Sequence, residues 1–123
     1  MAIERVAVIG AGTMGAGIAQ VCAQAGWTTA LYDAFPEGLE RGMQRIDAFW
    51  DKGIARGKTT AEQKEAWAKN LRAEADMKTA VHDVDLVIEA VPEIPELKAK
   101  VFAQLDEMAP DCLLYTSPSP RDV

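Results

Sequence analysis

The stretch VAVIGAGTMGAGIAQ, residues 6–20, governs how the rest of this 123-residue chain is read. Arg5-Val-Ala-Val-Ile9 is a short, nearly continuous apolar run, the pattern of a strand buried on both faces. Gly10, Gly12 and Gly15 follow at spacings of two and three. A small-residue helix, Met14 to Ala25, then runs to Gly26, which suits a left-handed C-terminal cap. A strand, a glycine turn and a helix in this order suggest a phosphate-binding turn. Gly10 permits the sharp exit from the strand, Gly12 leaves no side chain between backbone and ligand, and Gly15 lets the helix pack tightly. The helix N-terminus then offers N–H groups and the positive end of its dipole.

The pattern continues outward. Thr28-Thr-Ala-Leu-Tyr32 is a second strand that ends at Asp33, about twenty residues beyond the turn, where such folds place an acceptor for the adenosine ribose. A carboxylate there repels a 2′-phosphate, and Ala34-Phe35-Pro36 supplies no arginine to receive one, which favours NAD over NADP. Pro36 fits the first turn of a helix. Leu39, Met43, Ile46, Phe49, Trp50 and Ile54 form its apolar stripe. Gly57 breaks that helix. Thr60 and Gln63 have capping-box spacing and open another helix, carrying Trp67 and Leu71. Asp85–Val91 is the third strand. Pro95 opens a helix with Leu97, Val101, Leu105 and Met108 on one stripe, Pro110-Asp111 is a turn, and Cys112–Tyr115 is a fourth strand. The expected class is α/β: a Rossmann-type parallel sheet with helices on both faces and a helical hairpin inserted between strands two and three.

Composition narrows the function. Hydrophobic residues make up 49% and charged residues 26%, ordinary for a globular chain. Nineteen acidic residues against thirteen basic ones leave a formal charge of −6 and no basic stripe, a poor match to nucleic acid. No apolar run is long enough to span a bilayer, and the N-terminus shows no secretory pattern, so a cytoplasmic location and no membrane partner are expected. Cys22 and Cys112 lack CxxC spacing and read as core fillers in a reduced compartment. His82, the single histidine, reads as a surface residue.

VAVIGAGTMGAGIAQVCAQAG, followed by LYD and by DLVIEAVPE before a helix, resembles the NAD-binding domain of the 3-hydroxyacyl-CoA dehydrogenase family, from about Ile3 to Leu114. The resemblance implies oxidation of 3-hydroxyacyl-CoA to 3-oxoacyl-CoA with NAD, an acyl-CoA substrate and a place in fatty-acid metabolism. It also implies that Glu93 and Lys98 line the cofactor site. Motif and resemblance together give the cofactor-binding candidates Gly10, Gly12, Thr13, Met14, Gly15, Asp33, Ala90, Val91, Glu93 and Lys98, with no metal site. Glu89 is a carboxylate inside an apolar strand, which needs a partner or a raised pKa. The family uses its helical hairpin near the acyl-CoA. Arg45, Lys52, Arg56 and Lys58 are therefore candidate partners for CoA phosphates, against the plainer reading of a solvated helix face.

The family pattern Ser-Asn-Thr-Ser, which borders the nicotinamide, has only a short echo here in Thr116-Ser117. The family's catalytic histidine–glutamate pair and helical dimerisation domain have no counterpart in the sequence, so no catalytic residue is assigned. The expected division is an NAD-binding domain over 1–115 and an irregular tail over 116–123, foreign to the family, in a truncated chain that is inactive by itself. Homodimerisation would come only with the missing domain. Two alternatives stay open: a non-catalytic nucleotide-binding fragment, and an NAD-dependent dehydrogenase of another hydroxy acid.

Overall fold

The computed structural model describes residues 4–91, 95–108 and 113–116. Five parallel strands form one sheet: β1 (Arg5–Ile9), β2 (Thr28–Tyr32), β3 (Leu71–Glu74), β4 (Leu86–Glu89) and β5 (Leu113–Thr116). Their order is β3-β2-β1-β4-β5. The helices are α1 (Thr13–Gln24), α2 (Pro36–Ala55), α3 (Ala61–Ala68), α4 (Met77–Ala80) and α5 (Pro95–Met108). The chain builds outward from β1 to β3, then crosses to the other side of β1 for β4. The strand order reverses between β1 and β4, where α/β sheets of this kind open a ligand crevice at the strands' carboxyl ends.

Alternate residues of β1 supply two cores. Val6 and Val8 pack with Leu31, Leu86 and Ile88 beneath α1 and α2, whose Ala19, Ala23, Ile46 and Trp50 complete the layer. Ala7 and Ile9 pack with Val87 on the opposite face, against Met77, Val81, Val101 and Leu105. Helices thus cover both faces, and β1 reads as an unbroken apolar run because neither of its faces meets water.

Local signals in the sequence place several boundaries. Gly26 has φ +93 and ends the segment after α1. Pro36 occupies the first turn of α2. Gly57 has φ +75, just past the C-cap of α2. Thr60 and Gln63 form a reciprocal capping box: the Thr60 hydroxyl accepts from the Gln63 backbone N–H at 3.1 Å, and the Gln63 side-chain Oε1 accepts from the Thr60 N–H at 2.9 Å. Lys64 of α3 reaches back to Asp47 and Asp51 of α2 at 2.8 and 2.6 Å. Trp50 and Trp67 pack with ring centres 5.8 Å apart and planes tilted by 46°, so the two helices form a braced hairpin.

Three readings need correction. Leu71 does not continue the helix of Trp67; it begins β3, which pairs with β2 from Thr29↔Leu71 to Tyr32↔Glu74. LRAE is a run of helix formers, and only pairing with the open edge of β2 makes it a strand. Asp85–Val91 is accordingly the fourth strand, shortened to Leu86–Glu89, with the short helix α4 before it, and the strand expected fourth at Cys112–Tyr115 is the fifth, described over Leu113–Thr116. Phe49 is 59% exposed rather than on the apolar stripe. The buried line of α2 runs through Leu39, Gly42, Ile46 and Trp50 at spacings of three and four, which turns Phe49 to solvent. The Pro110-Asp111 turn, Cys112 and Ser117 lie outside the described residues, as does the side chain of Met108.

Candidate functional site

The glycine turn sits at the carboxyl end of β1, between β2 and β4. The Gly10 N–H donates to the Tyr32 carbonyl at 2.8 Å on one side, and the Ala90 N–H donates to the Ile9 carbonyl at 2.8 Å on the other. Gly10 has φ +111, and a Cβ there would lie 2.7 Å from the Ala90 carbonyl oxygen. A Cβ on Gly15 would run into the Gly10 carbonyl oxygen. These two glycines are needed for the turn itself. Gly12 differs: a Cβ there would meet nothing within 4 Å. Its φ of −69 and ψ of −169 are open to any residue, so its bareness serves the space in front of it.

That space is a cavity of about 480 Å³ lined by Ala11, Gly12, Thr13, Asp33, Phe35, Glu37, Gly38, Arg41 and Arg45. No side chain caps the N-terminus of α1 and no acidic residue stands in its first turn, which leaves this helix end to an anion. Asp33 is held in place by backbone. Its Oδ2 accepts from the Ala11 N–H at 2.8 Å and its Oδ1 from the Phe35 N–H at 2.9 Å. One carboxylate thereby ties the end of β2 to the glycine turn, and its remaining lone pairs are fixed in direction. A Cβ on Gly38 would come within 3.3 Å of the Asp33 Oδ1, and a Cβ on Gly42 within 2.7 Å of the Ala11 carbonyl oxygen. Both glycines let α2 lie close over the turn. Beside the site, burial and the charges of Asp33 and Asp76 push the Tyr32 phenol upward, so it stays protonated at neutral pH.

The structure gathers Gly12, Thr13 and Asp33 around one cavity and sets Ala90 and Val91 against the back of the turn. Met14 is 44% exposed at the start of α1. Glu93 lies outside the described residues, as does the side chain of Lys98 on α5. Glu89 is fully buried, and its Oε2 accepts from the Val91 N–H at 2.6 Å, fixing the chain as it leaves β4. His82 is exposed, 3.3 Å from Asp83. Arg45 stands on the wall of the Gly12 and Asp33 cavity, whereas Lys52, Arg56 and Lys58 are exposed elsewhere on α2 and the turn after it. Arg41 lines the same cavity. Sequence reasoning passed over it because it looked for a cation only in the residues next to Asp33, and Arg41 arrives two helical turns later.

The family described as "3-hydroxyacyl-CoA dehydrogenase, NAD binding domain" matches residues 5–123. The chain belongs to this family. Its cofactor is NAD, and its fold is that of the family's NAD-binding domain. It is 45% identical to 3-hydroxyadipyl-CoA dehydrogenase of Escherichia coli over 115 residues, which are 94% of this chain and 24% of that protein. It is 34% identical to a probable 3-hydroxybutyryl-CoA dehydrogenase of Bacillus subtilis over 95% of this chain and 40% of the relative. The crystal structure of 3-hydroxybutyryl-CoA dehydrogenase from E. coli superposes with a TM-score of 0.89 at 44% identity, covering 97% of this chain and 25% of that one. The (S)-3-hydroxybutyryl-CoA dehydrogenase of Ralstonia eutropha superposes with a TM-score of 0.90 at 28% identity, over 96% of this chain and 42% of the other. This NAD-binding domain thus spans a quarter to about two-fifths of the length of such relatives. Among the described residues no helix is long and apolar enough to cross a membrane.

Proposed function

We propose that the chain is the cofactor-holding part of an enzyme that oxidises 3-hydroxyacyl-CoA to 3-oxoacyl-CoA, working in fatty-acid metabolism in the cytoplasm. The observation that carries this reading is the pairing of a bare Gly12 floor with an Asp33 carboxylate locked by two backbone N–H groups. These residues suit a dinucleotide. The uncapped start of α1, with Gly12 and Thr13, would hold the pyrophosphate, and Asp33 would accept from the adenosine ribose hydroxyls. Gly10, Gly15, Ala90 and Val91 shape the turn behind them, while Met14, Glu93 and Lys98 would line the rest of the cofactor site. NAD, when bound, supplies the hydride acceptor; this chain's residues orient it and keep its adenosine end fixed. Acyl-CoA contacts by Lys52, Arg56 and Lys58, and homodimerisation through the segments that longer relatives carry, are parts of the same proposal. The expected boundary at 115 moves by one residue, because Thr116 ends β5 in register with Glu89; a domain over 1–116 and a tail over 117–123 are part of the same proposal.

Calorimetric titration with NAD and NADP tests the site. NAD is expected to bind more tightly. Asp33→Ala should weaken NAD by about tenfold or more, the worth of a charge-assisted hydrogen bond, and narrow the gap to NADP. Equal or tighter binding of NADP by the native chain would overturn the assignment of Asp33.

A further inference from the structure

Two acidic residues flank the glycine turn, at the carboxyl ends of the strands on either side of β1. Asp33 follows β2, and Glu89 ends β4, where it stands in register with Ile9. Each accepts from the backbone N–H two residues further on: Asp33 from Phe35 at 2.9 Å and Glu89 from Val91 at 2.6 Å. They differ in exposure. Asp33 lines the cavity, whereas Glu89 is fully buried. Alternation along β4 puts Glu89 on the same face as Val87, which packs among the apolar Met77, Val81, Val101 and Leu105. An apolar side chain would continue that layer without burying a polar group, so a carboxyl group there calls for a reason.

The reason lies in what Val91 adjoins. The Ala90 N–H donates to the Ile9 carbonyl at 2.8 Å, which brings the Ala90–Val91 peptide onto the turn. A Cβ on Gly10 would lie 2.7 Å from the Ala90 carbonyl oxygen and 3.1 Å from the Val91 nitrogen, and a Cβ on Gly15 would lie 3.5 Å from the Ala90 Cβ. We propose that Glu89 is a positioning residue for the cofactor: its carboxyl group holds the Ala90–Val91 peptide against the glycine turn and so sets the β4 wall of the crevice without touching the ligand. The inference rests on the proposed placement of NAD. With adenosine at Asp33 and pyrophosphate at the start of α1, a dinucleotide extends across the point where the strand order reverses, from the β2 side to the β4 side. The adenosine half meets the wall that Asp33 ties down, and the other half meets the wall that Glu89 ties down. A peptide free to shift on the β4 side must be ordered when the dinucleotide binds, which costs affinity for the whole cofactor and spares its adenosine half.

NAD and 5′-AMP, which lacks everything beyond the adenosine side, are the probes, titrated calorimetrically. Glu89→Ala should weaken NAD by about three- to tenfold, the worth of one hydrogen bond, and 5′-AMP by about twofold at most. Glu89→Gln keeps an acceptor oxygen on an arm of the same length and should restore most of the NAD affinity. Thermal melts followed by tryptophan fluorescence establish that each variant is folded. In the native chain, exchange of the Val91 amide hydrogen, followed by NMR, should slow when NAD is added and stay as it was with 5′-AMP; this measurement decides if Glu89→Ala does not fold. Equal losses of the two ligands in a folded Glu89→Ala chain would mean general loosening and overturn the proposal. So would an unchanged NAD affinity, a Glu89→Gln variant as weak as Glu89→Ala, or a Val91 amide indifferent to NAD. Native binding of NAD alongside any of these results leaves the cofactor site standing and removes only this inference. A native chain that binds neither NAD nor 5′-AMP overturns both.

Discussion

At the scale of single residues, the three glycines of the turn do different work, and substitution separates them. Gly12 faces open cavity, so a side chain there meets ligand before it meets protein. Gly12→Val should abolish NAD binding in a titration while leaving the melting temperature close to native. Gly15 abuts the Gly10 carbonyl, so even a methyl group forces α1 away from the turn. Gly15→Ala should destabilise the fold by about 1–3 kcal/mol, the usual range for overpacking, measured by denaturant unfolding. If the two variants exchanged these phenotypes, the division of roles between the glycines would be wrong.

At the scale of elements, β1 is held at both ends. Its carboxyl end makes the turn. Near its amino end, the Asp85 Oδ2, just before β4, accepts from the N–H groups of Glu4 and Arg5 at 2.9 and 3.0 Å. Those two bonds hold the Asp85 carboxyl below the usual value of 3.8. A folded pKa below the unfolded one means that folding favours the ionised form. The stabilisation is then complete above the ordinary carboxylate range and disappears as pH falls through the folded value. The stability gap between native and Asp85→Asn chains should therefore shrink between about pH 6 and pH 2; a gap constant across that range would count against this role. On the opposite side of the sheet from α5, α2 docks through Ile46, which is 1% exposed, and Trp50, whose Nε1–H donates to the Gln24 Oε1 at 3.0 Å. Ile46→Ala should cost about 2–5 kcal/mol in urea unfolding, through lost burial and the cavity left behind.

At the scale of the whole molecule, the described fold provides a cofactor platform. The chain's single histidine, His82, is 78% exposed beside Asp83, between α4 and β4, away from the Gly12 and Asp33 cavity. A general base must reach the hydroxyl proton as hydride leaves the same carbon. The 123-residue chain by itself should therefore bind NAD and yet show no loss of NADH absorbance with acetoacetyl-CoA. Steady turnover that Gly12→Val abolishes would reveal a base among the residues beyond those described. The α2 helix that carries the basic wall is braced against α3 by Lys64 and the Trp50–Trp67 pair.

The elements that follow from short-range chemistry were legible in the sequence. A two-face apolar run gives β1, glycines at spacings of two and three give the turn, and Gly26, Pro36 and the Thr60–Gln63 box mark helix ends, because each depends on local dihedrals or neighbouring hydrogen bonds. Asp33 was legible for the same reason, through its distance along the chain from the turn. What needed the tertiary structure were features made by partners remote in sequence. LRAE, residues 71–74, is a strand only because β2 offers an open edge. Asp33 is tied to the glycine turn because Ala11, twenty-two residues earlier, donates to it. Arg41 and Arg45 belong to the cofactor cavity only because Gly38 and Gly42 let α2 settle onto the turn. Local pattern sets which elements form, whereas the electrostatics of the cavity depend on how closely two of them pack, and that distance is written in no single stretch of the chain.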